Sequence, residues 1–221
     1  SQISTGIPSA KLGSFLTAWK DVTSSLELKD VRNIIGSSEA PPIYEVIQLN
    51  SKKSDSFLIE AICFYEGKNK LVVSLGPTWC GLIVTLYTHK QNKEWAQELI
   101  DKAWQLAREQ YNFLKGEAFS LSGNFIPKTA EQFNSIFLSK KNEEAISRTL
   151  KSFNNSKKKV FANRGQIFCG PPGTGKTLSG RALRNTAEGT FIWLSARDFY
   201  RSGAFGGLSY AFDLAKELAP S

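Results

Sequence analysis

The most informative segment of this sequence is Gly170-Pro171-Pro172-Gly173-Thr174-Gly175-Lys176-Thr177. It fits the pattern G-x-x-x-x-G-K-[ST], a loop whose backbone amides wrap the phosphates of a nucleoside triphosphate. Glycine tolerates positive φ and lets those amides come close to phosphate oxygens. The lysine offers a mobile positive charge to the β- and γ-phosphates, and the final hydroxyl binds the Mg²⁺ that bridges them.

The residues on either side of this loop predict a strand–loop–helix unit. Residues 166–169 form a short apolar run that predicts a buried strand. Residues 176–187 predict a helix that turns Leu178, Ala182 and Leu183 toward a sheet. This is the order that the phosphate-binding loop requires. A glycine- and proline-rich surface turn that matches the pattern by chance is the alternative.

The loop implies specific ligands and roles. We expect ATP and Mg²⁺ as the bound cofactors, although these residues do not themselves select adenine over guanine. Lys176 and Thr177 are the candidate catalytic residues, and Thr177 is the candidate Mg²⁺ ligand. The predicted nucleotide-binding residues are Gly170, Pro171, Pro172, Gly173, Thr174, Gly175, Lys176, Thr177 and Leu178.

The spelling GPPGTGKT resembles the AAA ATPases, a family of ring-forming remodelling motors. The resemblance covers the chain from about residue 137 to the end. Residues 143–153 are similar to the family's helix before the loop, and residues 190–194 to its second strand. Residues 208–218 are similar to the helix that follows, with one expected inward face: Leu208, Ala211, Phe212, Ala215 and Leu218.

The resemblance also implies a substrate-gripping loop. Many family members project an aromatic residue into the central pore of the ring from a loop after the second strand. Residues 203–207 occupy the corresponding stretch, so Ala204, Phe205 and Gly206 are the candidate pore-loop residues. The alternative is an ordinary glycine-rich turn with a partly buried phenylalanine.

The Walker B motif of the family would lie beyond Ser221. Its acidic residues help to hold Mg²⁺ and activate the attacking water, and phosphoryl transfer depends on that positioning. We therefore expect the complete protein to be an ATP hydrolase and these 221 residues alone to bind nucleotide without turnover. The sequence contains no Met, which favours an internal fragment or a processed chain.

Charge is unevenly distributed along the chain. Residues 1–125 carry 13 Lys+Arg and 13 Asp+Glu, whereas residues 126–221 carry 15 and 7, so the net +8 lies entirely in the second part. An acidic segment further along the family's module would restore the balance. The run Lys157-Lys158-Lys159 could contact nucleic acid, but it is also typical of a solvated loop.

Cysteines and apolar runs indicate the compartment. Cys63, Cys80 and Cys169 fit no metal-binding spacing, and Cys169 is expected in the strand before the loop as a small apolar residue. His89 is the only histidine, and a structural role is expected for it. The sequence shows no secretion signal and no apolar run near the ~20 residues that span a bilayer. We expect a reducing, cytoplasmic location without a membrane segment.

The first 125 residues predict a smaller α+β unit. Residues 11–35 are expected to be one helix and residues 93–115 a long amphipathic helix. The expected inward face of the second helix is Trp95, Leu99, Ala103, Leu106, Ala107, Tyr111 and Leu114. Between the helices, strands are expected at 43–49, 57–65, 70–76 and 80–88, with the middle two forming a hairpin.

The predicted fold class is α/β: a P-loop NTPase of AAA type with a partial parallel sheet, preceded by the smaller α+β domain. We divide the chain into an accessory or substrate-recognition domain at 1–125 and the first part of an AAA module at 126–221. The resemblance implies a homo-oligomeric, hexameric ring that remodels or unfolds polypeptides recruited, directly or through an adaptor, by the first domain. A nucleic-acid-handling AAA+ protein, such as a loader or helicase-like motor, and a non-motor P-loop phosphotransferase are the alternatives.

Overall fold

An antiparallel sheet covered by two helices forms the first part of the chain. The computed structural model describes residues 1–133, 136, 139–154, 167–199 and 206–218. The elements of the first part are β1 (Gln2–Pro8), α1 (Leu12–Val22), β2 (Glu27–Ile35), β3 (Ser38–Ala40), β4 (Ile43–Gln48), β5 (Ser54–Glu66), β6 (Leu71–Thr78), β7 (Gly81–Thr88) and α2 (Lys93–Glu109). Short 3-10 turns precede both helices, at Ser9–Lys11 and Lys90–Asn92.

Alternating side chains place the core on one face of this sheet. The strand order is β1-β7-β6-β5-β2-β3, and β4 pairs with the first half of β5. The buried apolar residues of β6 and β7 alternate along each strand, as the two-residue period of a strand requires: Leu71, Val73, Leu75, Leu82, Val84 and Leu86. The helices close this face, with Phe15 stacked on Trp19 and tilted against Trp104. The α+β character expected for this part of the chain is confirmed.

Several strand predictions for this part are confirmed, and one helix prediction is wrong. The hairpin corresponds to β5 and β6, and the runs at 43–49 and 80–88 correspond to β4 and β7. Residues 11–35 are not one helix, because α1 ends at Val22 and β2 starts at Glu27. Thr23 ends α1 by donating its hydroxyl to the Trp19 carbonyl at 2.8 Å, and β2 then pairs with β5.

The second helix is shorter than expected and is rotated about its axis. It ends at Glu109 rather than at residue 115, and its buried residues are Ala96, Ile100, Ala103 and Ala107. Of the expected inward face, Trp95 and Leu99 are only partly buried. Small side chains at the closest contact let α2 lie directly against the sheet and α1, which displaces the bulky residues to the sides of the contact.

The rest of the chain, from β8 onward, contributes four helices and two short strands among the described residues. They are β8 (Ala118–Ser120), α3 (Lys140–Asn154), α4 (Lys176–Thr186), β9 (Phe191–Trp193), α5 (Ala196–Phe199) and α6 (Gly206–Leu218). The expected helix before the loop, the second strand and the helix after it are therefore present as α3, β9 and α6. Strands β8 and β9 pair in parallel and form a small parallel sheet, but its first strand lies at 118–120 and not at the expected 166–169.

Two burial predictions in this part are wrong. Residues 167–169 are exposed and form no strand; Ile167 is 89% exposed. No described strand pairs with them, and a strand depends on hydrogen bonds from its neighbours. On α6 the buried residues are Gly207, Ala211, Leu214 and Leu218, whereas Phe212 and Ala215 of the expected face are exposed.

A second apolar cluster joins the two parts of the chain. It contains Ala10, Leu114, Phe119, Leu121, Phe125, Ala211, Leu214 and Leu218. Lys11 forms an ion pair with Glu217 at its edge. Helix α6 therefore packs against residues from the first 125, and the division expected at 125/126 stays a prediction. None of the helices in the described ranges combines the length and apolar character that a bilayer span needs.

Candidate functional site

The phosphate-loop sequence forms a tight turn that leads directly into helix α4. Gly173 and Gly175 have φ of 80° and 79°, in the left-handed region where a side chain costs about 1–2 kcal/mol. A Cβ at either position would meet no atom within 4 Å, so the requirement for glycine is torsional and not steric. Gly175 is the N-cap residue of α4, and the helix begins at Lys176.

The helix start presents free amides toward the loop. The Ser179 amide donates to the Gly175 carbonyl at 2.8 Å, and the amides of the three residues before it lie in the first turn, where a helix leaves its donors unpaired. The first turn of α4 contains no acidic residue that would compete for them. The positive end of the helix dipole and these amides together favour an anion.

The ammonium group of Lys176 lies over the mouth of the loop. Its Nζ donates to the carbonyl oxygens of Gly170 at 2.7 Å and Pro171 at 2.6 Å. The Thr174 hydroxyl also donates to the Pro171 carbonyl, at 2.8 Å, and thereby closes the turn. The loop thus holds a cation with neutral carbonyl acceptors, which phosphate oxygens can replace with stronger, charge-assisted bonds.

The loop and its ligand-binding groups are accessible to solvent. Residues 170–174 and Thr177 are exposed, and Leu178 is partly buried under the loop. A hydroxyl oxygen at this position suits Mg²⁺, which prefers oxygen ligands and keeps several waters. Bound there, the metal would bridge and neutralise the phosphates. The structure thus brings together the predicted nucleotide-binding residues and the predicted metal ligand in one turn.

Other predicted site residues lie elsewhere or outside the described residues. Ala204 and Phe205 of the expected pore loop fall outside them, as does the 157–159 lysine run. Gly206 is described and starts α6, where it lines a cavity of about 520 Å³ together with Pro8, Trp79 and Tyr210. The pore loop therefore stays a prediction.

The cysteine environments differ from one another. Cys169 is exposed, so its expected place as a small apolar residue in a buried strand is wrong. Cys80 is also exposed, whereas Cys63 is buried in β5, and burial raises the pKa of its thiol to about 11. Within the described ranges, no group of three or more potential metal ligands occurs.

One polar cluster beside the loop helix has no counterpart among the sequence predictions. Arg184, near the end of α4, is 3% exposed and donates to the Pro127 carbonyl. The next residue, Asn185, donates to the carbonyls of Thr129 at 2.9 Å and Glu131 at 2.7 Å. The bonds join residues more than 50 positions apart, so no local pattern reveals them.

Charge within this cluster is partly balanced. Arg181 Nη1 lies 3.7 Å from a Glu131 carboxylate oxygen. Burial lowers the pKa of Arg184, opposed by the nearby Glu131 carboxylate. The Thr129 hydroxyl, a backbone amide and the two arginines together lower the pKa of Glu131.

Comparison with known proteins finds similarity in the segment that contains the phosphate loop. Residues 166–221 match the family described as "ATPase family associated with various cellular activities (AAA)". A proteasome-activating nucleotidase of Methanopyrus kandleri is 43% identical over 61 residues, which is 26% of this chain and 14% of that protein. An ATP-dependent zinc metalloprotease FtsH of Syntrophotalea carbinolica is 46% identical over 63 residues, 27% of this chain and 10% of that protein.

A glycine-rich loop that opens onto a helix, followed by a strand in a parallel pair, defines a P-loop NTPase fold. Residues 166–221 carry the likeness to the AAA ATPase family. The chain spans about a seventh or less of the length of the curated relatives described above, with 14% and 10% covered. Nucleotide binding is the activity that this match of residues 166–221 to an ATPase family supports.

Proposed function

We propose that residues 170–178 bind ATP·Mg²⁺ and that Lys176 and Thr177 are the residues on which this binding most depends. The observation that carries the proposal is the position of the Lys176 ammonium, bonded at 2.7 and 2.6 Å to two carbonyls of the loop it follows. A cation held at that point meets the β- and γ-phosphates of a nucleotide seated on the α4 amides. Thr177 supplies the oxygen ligand for Mg²⁺.

The exchange of partners at Lys176 sets the expected affinity. Each hydrogen bond from the ammonium to a carbonyl is replaced by one to a charged phosphate oxygen, which is roughly twice as strong. Hydrogen bonds to charged groups contribute about 1.5–3 kcal/mol, which corresponds to roughly a 10- to 100-fold change in affinity.

The first experiment is calorimetric titration of the chain with ATP·Mg²⁺. Lys176→Ala should weaken binding about 10-fold or more, because it removes that charge-assisted bond. Lys102→Ala, which removes an exposed lysine from helix α2, is the matched control and should bind as the parent chain does. Thr177→Ala should reduce the advantage of ATP·Mg²⁺ over ATP with chelator. Equal affinities for the Lys176→Ala and parent chains would refute the proposed site.

For the whole protein we propose ATP-driven remodelling of polypeptides by a hexameric ring, with residues 1–125 recruiting the substrate or an adaptor. Support comes from the family match and from the relatives, which are named as a proteasome-activating nucleotidase and ATP-dependent proteases. The test is whether the complete protein forms hexamers when nucleotide is present. Unfolded polypeptide should also raise its ATPase activity. Turnover that is indifferent to polypeptide would contradict it.

One observation favours a second function, the handling of nucleic acid. The entire net charge of +8 lies in residues 126–221, and basic surfaces bind the phosphate backbone. DNA binding that weakens steeply with added salt, together with ATPase stimulation by DNA rather than by polypeptide, would support this alternative.

A further inference from the structure

Residues 127–131 lead from the first part of the chain toward the AAA segment, and helix α4 holds them. We propose that Arg184 and Asn185 are positioning residues that clamp residues 127–131 onto the helix of the phosphate loop, so that nucleotide binding and closure of this clamp are thermodynamically coupled. The inference rests on the proposed function, because it needs a ligand at the N-terminus of α4.

The hydrogen bonds of Asn185 give the clamp its geometry. Its Nδ2 group donates to two backbone carbonyls, those of Thr129 at 2.9 Å and Glu131 at 2.7 Å, and lies 3.2 Å from the Thr129 hydroxyl. Carbonyl oxygens can only accept, so the amide has one orientation; the flipped amide would set oxygen against oxygen. One side chain therefore fixes two peptide groups of the 127–131 segment.

Arg184 anchors the start of the same segment. It is 3% exposed and donates from Nη2 to the Pro127 carbonyl. Its Nη1 and the Glu131 Oε2 are both buried, and neither has a hydrogen-bond partner within the described ranges. Leaving a buried donor and a buried acceptor unpaired costs about 1–3 kcal/mol each, which favours any rearrangement of the clamp that pairs them.

The clamp and the phosphate loop share one rigid element. Helix α4 carries Lys176 and Thr177 in its first turn and Arg184 in its last, with Asn185 next to it. A nucleotide that orders the first turn also stabilises the helix that the clamp requires. Coupling between two sites is reciprocal: if the clamp strengthens nucleotide binding by some factor, nucleotide strengthens the clamp by that same factor.

The Lys128–Thr129 peptide bond reports on the clamp. Both residues are exposed, and the carbonyls of Pro127 and Thr129 are bonded to α4, so trypsin can cut after Lys128 only when the segment opens. Cleavage then follows the population of the open form. The Lys68–Asn69 bond, in the turn between β5 and β6 where Lys68 is exposed, serves as an internal reference for protease activity.

The test compares cleavage after Lys128, followed by mass spectrometry, in the whole chain with and without ATP·Mg²⁺. Without nucleotide, trypsin should cleave Asn185→Ala several-fold faster than the parent chain. ATP should slow cleavage of the parent by about 5-fold or more, the lower end of typical couplings. Asn185→Asp keeps the shape of the side chain but removes both N–H donors, so it should be cleaved as fast as Asn185→Ala. Asn92→Ala, at the start of α2, is the matched control and should match the parent.

Reciprocity separates the clamp from a merely structural role. If Asn185→Ala leaves the clamp fully open, it should lose ATP affinity by the same factor by which ATP protects the parent. Faster cleavage with unchanged ATP affinity would overturn the coupling while leaving the nucleotide site in place. Cleavage of both Asn185 variants at the parental rate would overturn the clamp itself. Absence of ATP binding to the parent, measured by calorimetry, would overturn the proposed function and the coupling together.

Discussion

Cys63 shows how burial changes the chemistry of a single residue. Its side chain is 3% exposed in β5, and burial raises the pKa of the thiol to about 11 from an ordinary 9.0. The pKa of the neighbouring Tyr65 hydroxyl is raised to about 12, first by burial and then by the Cys63 thiolate beside it. Both groups are therefore neutral in the folded chain at any pH near 7.

This environment predicts a loss of stability in alkali. Between pH 9 and 11 the unfolded chain loses the thiol proton of Cys63 while the folded chain keeps it, so folding stability falls as pH rises. The contribution is complete below pH 9, is lost above pH 11, and amounts to about 3 kcal/mol. Urea unfolding at several pH values measures the slope. Cys63→Ala should flatten it, and an unchanged slope in that variant would contradict the assignment.

At the scale of elements, local patterns explain which predictions succeed. The apolar alternation of β6 and β7 specifies their faces, and the phosphate loop is encoded within eight consecutive residues. Residues 27–35 are different: Leu28, Val31 and Ile35 follow helical spacing, yet they form β2 because β5 supplies a hydrogen-bonding neighbour. Contacts between distant segments, including the clamp on α4, leave no such trace in the sequence.

Helix α2 gives a direct test of which face points inward. Ile100 is 3% exposed in the main core, whereas Leu99, on the face expected from the sequence, is only partly buried. Ile100→Ala should lower the free energy of unfolding by about 2–4 kcal/mol, because it removes buried methyl groups and leaves a cavity. Leu99→Ala should cost clearly less in the same denaturant titration. The reverse order would show that α2 has the rotation expected from the sequence.

For the whole molecule, the apolar cluster between α6 and residues 114–125 decides how the two parts of the chain behave. Phe119 is fully buried there against Leu214 and Leu218, and the Phe191 amide donates to the Glu117 carbonyl at 2.9 Å. The predicted division at 125/126 places these partners in different domains. The contacts predict that the stability of residues 114–125 depends on α6.

Replacement of one residue on α6 tests whether residues 114–125 depend on α6 or fold independently with the first 125 residues. Leu214 is 1% exposed and Phe212, on the same helix, is 60% exposed. If residues 114–125 depend on α6, Leu214→Ala should cost about 2–5 kcal/mol, and hydrogen exchange should accelerate at the Ile126 amide, which donates to the Ala118 carbonyl at 2.7 Å. Phe212→Ala should change neither. If Leu214→Ala leaves that amide protected as in the parent chain, residues 1–125 fold independently and the division at 125/126 holds, because a domain with its own core does not respond to a cavity outside it.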